Sequence, residues 1–338
     1  MPEHRAPRVL LVKPRHIGDS LLLTPVVRAI RDEHPGAVIW VLTRRGSDGI
    51  LRGCRAIDRV LTTDGEGVAG TLEKLALIRE QGFDHAFELS ESQRGRWWVL
   101  ASGSGTMTLS YSSRRHSRLW DAAGCGAADY SRYLGHAVVK DYRTVAMRLP
   151  LSGQIPPLEY MPQDPEEPWP ELRRFVFIHP GTRWQRKRWE VEKWTQLARE
   201  LLHHHDALII STGPDKEESD LAAQIAAVCP ERVHTTGGKL SWDANARLLR
   251  RADFFVGVDT AMCHLSAASG CPTVALFGPS YEGAWRPWSC THRLVLPPGW
   301  KELDESMADV SEFQQRRTAE IRLEDVLSAC RDLARHAA

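Results

Sequence analysis

The sequence predicts an α/β protein made of two doubly wound parallel sheets with helices on both faces of each sheet. Short runs rich in Val, Ile, Leu and Phe alternate with longer amphipathic stretches, which is typical of parallel strands joined by helices. The alternation stops at "LSGQIPPLEYMPQDPEEPWP" and then begins again. A proline-rich, acidic segment of this kind is a linker by composition. It therefore divides the chain into two similar halves.

The length of the chain supports the same division, because 338 residues exceed one ordinary hydrophobic core. We predict a first domain over residues 1–155, a linker over 156–170 and a second domain over 171–338. In two doubly wound domains, ligands are expected at the carboxyl ends of the strands, in a cleft between the halves. A single large sheet with a long active-site loop is the alternative.

In the first half, each predicted strand is a short apolar run and each predicted helix repeats apolar residues at helical spacing. The strands are Arg8–Val12, Ala37–Leu42, Arg59–Thr62, His85–Leu89 and Thr106–Tyr111. The helices are Leu21–Glu33 and Thr71–Gln81.

The second half repeats the pattern. Its predicted strands are Phe175–Ile178, Ala207–Ser211, Arg232–Thr235, Phe254–Val258 and Thr273–Phe277. Its predicted helices are Val191–His204, Lys216–Cys229, Asp243–Arg250, Ala261–Ser269 and Ile321–Arg335.

Composition excludes several classes of protein. The net charge of +1 gives no overall field that would attract nucleic acid. No apolar run approaches the ~18 residues that span a bilayer, and the first residues lack the apolar core of a secretory signal. The seven cysteines include no C-x-x-C pair, so we expect reduced thiols and no zinc site. These features favour a cytoplasmic protein.

Three common nucleotide and metal motifs are absent. The chain has no G-x-G-x-x-G after its first strand, no G-x-x-x-x-G-K-[ST] and no D-x-D. NAD enzymes, P-loop NTPases and transferases that clamp a diphosphate with a metal therefore lose support.

A basic turn, "FIHPGTRWQRKRW", follows the first strand of the second half. Backbone N–H groups at the end of a strand bind anions, and a lysine such as Lys187 adds a point charge suited to phosphate. Thr182 lies in the same turn. The alternative is a solvated basic loop with Trp184 and Trp189 packed beneath it.

A second cluster, "DFFVGVDTAMCHLSAASGCPTVALFGPS", places an Asp-Thr pair between a strand and a helix. We expect Thr260 to cap the helix that begins at Ala261, whose free N–H groups favour phosphate. Asp259 alone could equally be a helix cap. His264 lies one turn further along and could equally be a buried core histidine.

Between these clusters, "STGPDKEESD" places two acids near the start of a helix. A carboxylate there could bind the diol of a ribose. The alternative is favourable charge at a helix N-terminus. That alternative fits Glu218 somewhat better than Glu217.

Three motifs together resemble a known family. The "K-x-x-x-x-G-D" of the first turn, "HPGT…K-x-W" and "VDTAMCH…PTVALFGP" are similar to those of bacterial lipopolysaccharide heptosyltransferases, in glycosyltransferase family 9. The resemblance spans nearly the whole chain. "HIGDSLLLTPVVRAI" is most similar to the heptosyltransferase III branch.

The resemblance implies the GT-B fold, with an acceptor-binding first domain and a second domain that binds the nucleotide sugar. It implies inverting, metal-independent transfer of heptose from ADP-heptose to the inner core of lipopolysaccharide, without a cofactor. The acceptor would be lipid A–inner core at the cytoplasmic face of the inner membrane, where the protein could associate peripherally. A basic run over residues 114–118 would suit such an acceptor, although such runs are usually only solvated.

The resemblance also implies roles for particular residues. Asp19 matches the general base, with helix N-capping as its alternative, and Lys187 matches the phosphate-binding lysine. The donor-binding matches are Thr182, Glu217, Asp259, Thr260, Ala261 and His264, where many relatives have glycine in place of Ala261. The acceptor-binding candidates are Lys13, Arg15, His16 and Gly18, and Lys13 could instead simply end its strand. No metal ligand is expected.

Two other functions stay open at this point. One is a GT-B transferase or epimerase that uses a uridine or guanosine diphosphate sugar. The other is a non-catalytic relative that retains the nucleotide site. The sequence does not predict which core sugar accepts the heptose.

Overall fold

The computed structural model describes residues 5–64, 67–111, 120, 123–130, 133–302 and 312–337. The chain forms two compact units, Met1–Pro156 and Pro157–Ala338. The basic run at 114–118 lies outside the described residues.

The first unit is built on a six-stranded parallel sheet in the order β3-β2-β1-β4-β5-β6. The strands are β1 (Arg8–Lys13), β2 (Val38–Thr43), β3 (Arg59–Thr62), β4 (His85–Glu88), β5 (Thr106–Tyr111) and β6 (Cys125–Asp129). The chain winds outward from the centre in both directions, so the strand order reverses between β1 and β4. Ligands of open α/β sheets bind at the carboxyl ends of the strands at such a reversal.

The described helices of this unit pack on both faces of the sheet. They are α1 (Ile17–Leu21), α2 (Thr24–Glu33), α3 (Gly67–Gln81), α4 (Gln93–Ala101) and α5 (Ala137–Ala146). One core cluster joins α3 and α4 to the sheet through residues such as Leu10, Ile78 and Val99.

The second unit repeats the architecture, with the sheet order β12-β11-β10-β7-β8-β9. Its strands are β7 (Phe175–His179), β8 (Ala207–Ile210), β9 (Val233–Thr235), β10 (Phe254–Val258), β11 (Thr273–Leu276) and β12 (His292–Val295). The order reverses between β7 and β10, which pair directly.

The described α-helices of the second unit are α6 (Val191–Leu201), α7 (Lys216–Ala226), α8 (Trp242–Arg251), α9 (Ala261–Ala268), α10 (Glu282–Trp285) and α11 (Leu323–Ala337). The core under α6 contains a fully buried indole, Trp194, packed edge-on against Trp189 at 4.8 Å between ring centroids.

The prediction of two doubly wound parallel sheets is confirmed, and each predicted strand is present to within one or two residues. Four described helices and strands of the first unit were not predicted: α1, α4, α5 and β6. In the second unit β12 and the short helix α10 were missed. The predicted helix Leu21–Glu33 begins three residues early, because the chain turns at Leu22-Leu23 before α2 begins at Thr24.

The proline-rich segment after Pro156 is anchored to the second unit. Tyr160 Oη donates to Asp243 Oδ1 at 2.5 Å. The backbone N–H groups of Gln163 and Asp164 donate to Asp243 Oδ2 at 2.9 and 2.7 Å. Three donors from one segment therefore converge on a single carboxylate of α8, which lowers the pKa of Asp243.

The two tryptophans of the basic turn differ in burial. Trp189 is buried, as the solvated-loop alternative has it, whereas Trp184 is 65% exposed, so the alternative holds for only one of the two.

All seven cysteines are free thiols. Among the described residues, no helix is both long and apolar enough to cross a membrane.

Candidate functional site

The carboxyl ends of β7 and β10 bring the basic turn and the Asp-Thr pair together. His179 is the partner of Gly257 in the pairing of these strands. A Cβ on Gly257 would lie 2.9 Å from the carbonyl oxygen of His179, so only glycine lets the two backbones approach this closely. The pairing register therefore brings both predicted donor motifs to the same end of the sheet.

Lys187 and Asp259 form an ion pair at this edge. Lys187 ends a single 3₁₀ turn, Gln185–Lys187. Its Nζ donates to Asp259 Oδ2 at 2.6 Å and to the Asp259 carbonyl oxygen at 3.2 Å. The carboxylate is almost buried, and the lysine side chain is 21% exposed. The ammonium group is thus held at the N-terminus of α9, where a ligand can reach it.

The two threonines of the site differ in their contacts. Thr182 is buried, and its Oγ1 accepts from the backbone N–H of Trp184 at 3.2 Å. Thr260 precedes α9 with extended backbone, but its side chain makes no capping hydrogen bond. The expectation that Thr260 caps the helix is therefore wrong in this structure. Its Oγ1 is buried and has no hydrogen-bond partner among the described residues.

Helix α9 lies closely against its sheet. Ala261 is half-buried, while every residue from Met262 to Ala268 is buried, His264 included. Burial raises the pKa of the Cys263 thiol well above its ordinary value, with a further contribution from the carboxylate of Asp259. Cys263 is therefore an inert core residue.

The two acids at the start of α7 have different surroundings. Glu217 is 68% exposed and pairs with Arg188, one of its two contacts being 2.8 Å long. This pairing lowers the pKa of Glu217. Glu218 is half-buried, and its Oε2 accepts from the backbone N–H of Gly213 at 2.5 Å. Burial raises the pKa of Glu218.

Glu218 also lies directly against the basic turn. A Cβ on Gly181 would come within 2.2 Å of Glu218 Oε2, so glycine is required for this approach. Both acids therefore contact the basic turn: Glu218 lies against Gly181, next to Thr182, whereas Glu217 lies on the exposed side against Arg188.

In the first unit, the carboxyl end of β1 carries Lys13, the predicted acceptor ligand. The residue is 3% exposed, and its Nζ forms a buried ion pair with Asp141 of α5. Burial raises the pKa of Asp141 and Lys13 opposes that shift. The Lys13 ammonium group therefore faces the interior of the unit.

The other predicted residues of this turn are closer to solvent. Arg15 and His16 are exposed, Gly18 is buried and Asp19 is half-buried. His16 occupies the N-cap position of α1, and Asp19 lies in the first turn of the helix. Asp19 is therefore not the N-cap that the sequence left open as its alternative role. An acidic residue in a first turn still interacts favourably with the helix dipole.

A second charged group lies next to this turn, at the carboxyl end of β4. The buried carboxylate of Glu88 accepts from the backbone N–H groups of Ser90, Glu91 and Ser92 at 2.9, 3.0 and 3.1 Å. These bonds hold Glu91 at a φ of 58°, which is unusual for a residue with a side chain. Glu91 forms an ion pair with Lys140 of α5.

Sequence reasoning missed Glu88, Glu91, Lys140 and Asp141. One signal was available: "AVVKDYRTVA" places Asp141 among residues that are buried on one face of α5. A carboxylate on an apolar helix face requires a partner. Among the described residues, no group of three or more His, Cys, Asp and Glu side chains could hold a metal ion.

Comparison with known proteins assigns the family. The sequence model of glycosyltransferase family 9 (heptosyltransferase) matches residues 133–312, which is more than half of the chain. The chain belongs to glycosyltransferase family 9. The resemblance seen in the sequence motifs is confirmed, and this family 9 protein is a glycosyltransferase.

One curated relative of this family 9 protein is lipopolysaccharide heptosyltransferase 3 of Escherichia coli. The two are 25% identical over 299 residues, covering 81% of this chain and 84% of the relative. The similarity to the heptosyltransferase III branch thus extends well beyond the three motifs.

Two solved structures show the same fold. A family 9 glycosyl transferase from Veillonella parvula has a TM-score of 0.81 at 16% identity, covering 99% of each chain. The E. coli heptosyltransferase WaaC with ADP has a TM-score of 0.77 at 20% identity, covering 96% of this chain and 99% of that one. The predicted GT-B fold is confirmed.

Proposed function

We propose that this family 9 protein transfers heptose from ADP-heptose to the inner core of lipopolysaccharide, with inversion at the anomeric carbon. The Lys187–Asp259 pair carries the proposal, because it presents a cation at a helix N-terminus at the strand-order reversal of the second unit. The WaaC structure was solved with ADP. Membership of the heptosyltransferase family supports heptose as the sugar.

In the proposed reaction, Asp19 removes the proton from an acceptor hydroxyl as its oxygen attacks the anomeric carbon. The bond from that carbon to the diphosphate oxygen breaks, and its electron pair leaves with ADP. Lys187, the backbone N–H groups of the basic turn and those at the start of α9 stabilise the charge that develops on the diphosphate. These groups would replace a metal ion, so the proposed mechanism is metal-independent and needs no cofactor.

Donor binding is proposed for Thr182, Asp259 and Thr260, with Ala261 and His264 in the helix that follows. Thr260 Oγ1 is buried without a partner among the described residues, and a phosphate or sugar oxygen could satisfy it once the helix N-terminus is occupied. The acid for the ribose diol, predicted as Glu217, is better placed at Glu218, because its carboxylate lies against Gly181.

Acceptor binding is proposed for the first unit at the turn after β1. Arg15 and His16 are exposed there and suit an anionic acceptor such as the phosphorylated or carboxylated inner core. Gly18 lets the chain approach the acceptor. Action on a lipid-linked acceptor would place the protein at the cytoplasmic face of the inner membrane.

The test of the base is Asp19→Asn. The variant keeps the shape of the side chain and removes the carboxylate, so we expect a folded protein that releases ADP about a hundred-fold or more slowly. ADP release is measured with ADP-heptose and core lipopolysaccharide purified from a strain that lacks this gene. Asp32→Asn, on the exposed face of α2, is the matched control. A folded, fully active Asp19→Asn would remove Asp19 from the mechanism.

The donor is tested by calorimetric titration with ADP, UDP and GDP. We expect ADP to bind tightest, and a preference for UDP or GDP would instead support a transferase or epimerase that uses another sugar nucleotide. Loss of one heptose from the core of the deletion strain, by mass spectrometry, is the expected result in the cell. Tight ADP binding without any ADP release would favour a non-catalytic relative.

A further inference from the structure

A buried ion pair lies under the turn that carries the proposed base. Lys13 and Asp141 have side chains that are only 4% and 1% exposed. Lys13 is the last residue of β1, and Asp141 comes from α5, which is far away in the sequence. The pair therefore ties α5 to the carboxyl end of the central strand, at the point where the strand order of the sheet reverses.

The backbone of Lys13 organises the turn as well. Its carbonyl oxygen accepts from the N–H of Arg15 at 2.8 Å and from Thr43 Oγ1 at 3.1 Å. Thr43 Oγ1 also lies 2.9 Å from Ser20 Oγ, one residue beyond Asp19. Thr43 thus connects Lys13 to the short helix that carries Asp19, and the hydrogen bond from Arg15 closes the turn before that helix.

Asp141 is incompletely satisfied. Its Oδ2 contacts Lys13, while its Oδ1 is buried with no hydrogen-bond partner among the described residues. Asp19 lies close enough for its negative charge to raise the pKa of Asp141 further, after burial has done so.

Stability alone is a weak explanation for a buried ion pair of this kind. The cost of removing two charges from water often exceeds their attraction, and apolar replacements are frequently as stable. An interior carboxylate with one oxygen unsatisfied adds to that cost. Its position beside the turn of Asp19 therefore points to a role in the reaction.

We propose that Lys13 and Asp141 are positioning residues for the general base Asp19, with Lys13 serving this role in place of acceptor binding. The pair fixes the turn so that the Asp19 carboxylate meets the acceptor hydroxyl. This inference rests on the proposed function of Asp19.

Other charged groups face the same region from each neighbouring element. Arg15 and His16 lie on the turn itself, and Asp48 precedes the 3₁₀ turn Gly49–Gly53 that packs against α1. The β4 end contributes Glu88 and Glu91. Lys140 of α5 also favours the charged form of Asp141, although its own ion pair is with Glu91.

The first test is the split between kcat and KM for Asp141→Asn, measured by ADP release with ADP-heptose and the purified core acceptor. A misplaced base slows the chemical step without removing a contact to the donor. We therefore expect kcat to fall by about ten-fold, with the KM for ADP-heptose near that of the parent.

The matched control is Asp84→Asn. Asp84 accepts from the backbone N–H of Arg8 at 2.7 Å, at the opposite end of β1, so this variant loses a carboxylate contact in the same unit. We expect it to lose stability while keeping the parental kcat and KM. A folded Asp141→Asn with the parental kcat would overturn the proposal.

The double variant Lys13→Met/Asp141→Asn separates positioning from folding. It removes both charges and keeps both side-chain shapes, so we expect a melting temperature near that of the parent and a kcat about ten-fold lower. Parental activity in the folded double variant would also overturn the proposal. An active Asp19→Asn, by contrast, would refute the proposed function itself, so the two failures are distinguishable.

Discussion

Glu217 and Glu218 show at the scale of single residues why adjacent acids can have different roles. Helix α7 begins at Lys216, so residues one position apart point about 100° away from each other. Asp215 caps the helix by accepting from the N–H of Glu218 at 2.9 Å. This cap fixes the direction of the first turn, so that Glu218 points towards Gly213 and Gly181, while Glu217 pairs with Arg188 on the exposed side of the basic turn.

Substitution of the two acids therefore has unequal effects. We expect Glu218→Gln to weaken the binding of ADP about ten-fold, because a charged hydrogen bond to the ribose diol is lost. Glu217→Gln serves as the matched control and should bind ADP as tightly as the parent. Calorimetric titration measures both dissociation constants. The reverse result, with weak binding only in Glu217→Gln, would restore Glu217 as the ribose ligand.

At the scale of elements, a buried ion pair also joins α10 to the chain before α11. Arg316 Nη1 donates to Glu282 Oε2 at 2.7 Å, and neither side chain is exposed. The guanidinium group lies 4.9 Å from the ring centroid of Trp300. Next to this pair, a Cβ on Gly278 would lie 2.3 Å from Thr318 Oγ1. The short segment around Arg316 is thus fitted closely against the loop that follows β11.

We expect Arg316→Met to lower the free energy of unfolding of the second unit by about 3 kcal/mol, because it removes the buried cation that pairs with Glu282. Chemical denaturation monitored by tryptophan fluorescence measures the change. Arg322→Met is the control, since Arg322 pairs with Asp325 at an exposed position and should have little effect on stability. An equal loss of unfolding free energy in both variants would show that burial does not increase the contribution of the Arg316–Glu282 pair to stability.

The elements that sequence analysis predicted are those whose local pattern agrees with the fold. Strands such as β7, "FVFIH", are apolar throughout because both faces are buried. Strand β6, "CGAAD", lies at a sheet edge and lacks β-branched residues, so it carries no local signal. The motifs predicted the donor-binding candidates at the carboxyl ends of β7 and β10, because each motif lies within one continuous stretch of sequence. Asp141 was missed because its partner, Lys13, is 128 positions away.

At the scale of the whole molecule, buried titratable groups make the stability of each unit depend on pH. Burial lowers the pKa of His179 to about 4, and its Nδ1 has no hydrogen-bond partner among the described residues. In the unfolded chain the same imidazole binds a proton near pH 6.5. Glu218 has the opposite effect in this unit, because burial raises its pKa and thus favours the folded state at acid pH.

The second unit should therefore lose stability as the pH falls from about 6.5 to 4, since the unfolded state then binds a proton that folded His179 does not. The shift corresponds to about 3 kcal/mol when it is fully developed at pH 4, and to none above pH 7. Chemical denaturation from pH 4 to 8 measures this dependence in the parent and in His179→Gln. We expect the variant, which has no titrating imidazole at this position, to be destabilised less by acid. Glu218→Gln is the control of opposite sign, and parallel curves for the parent and His179→Gln would show that His179 is not the group responsible.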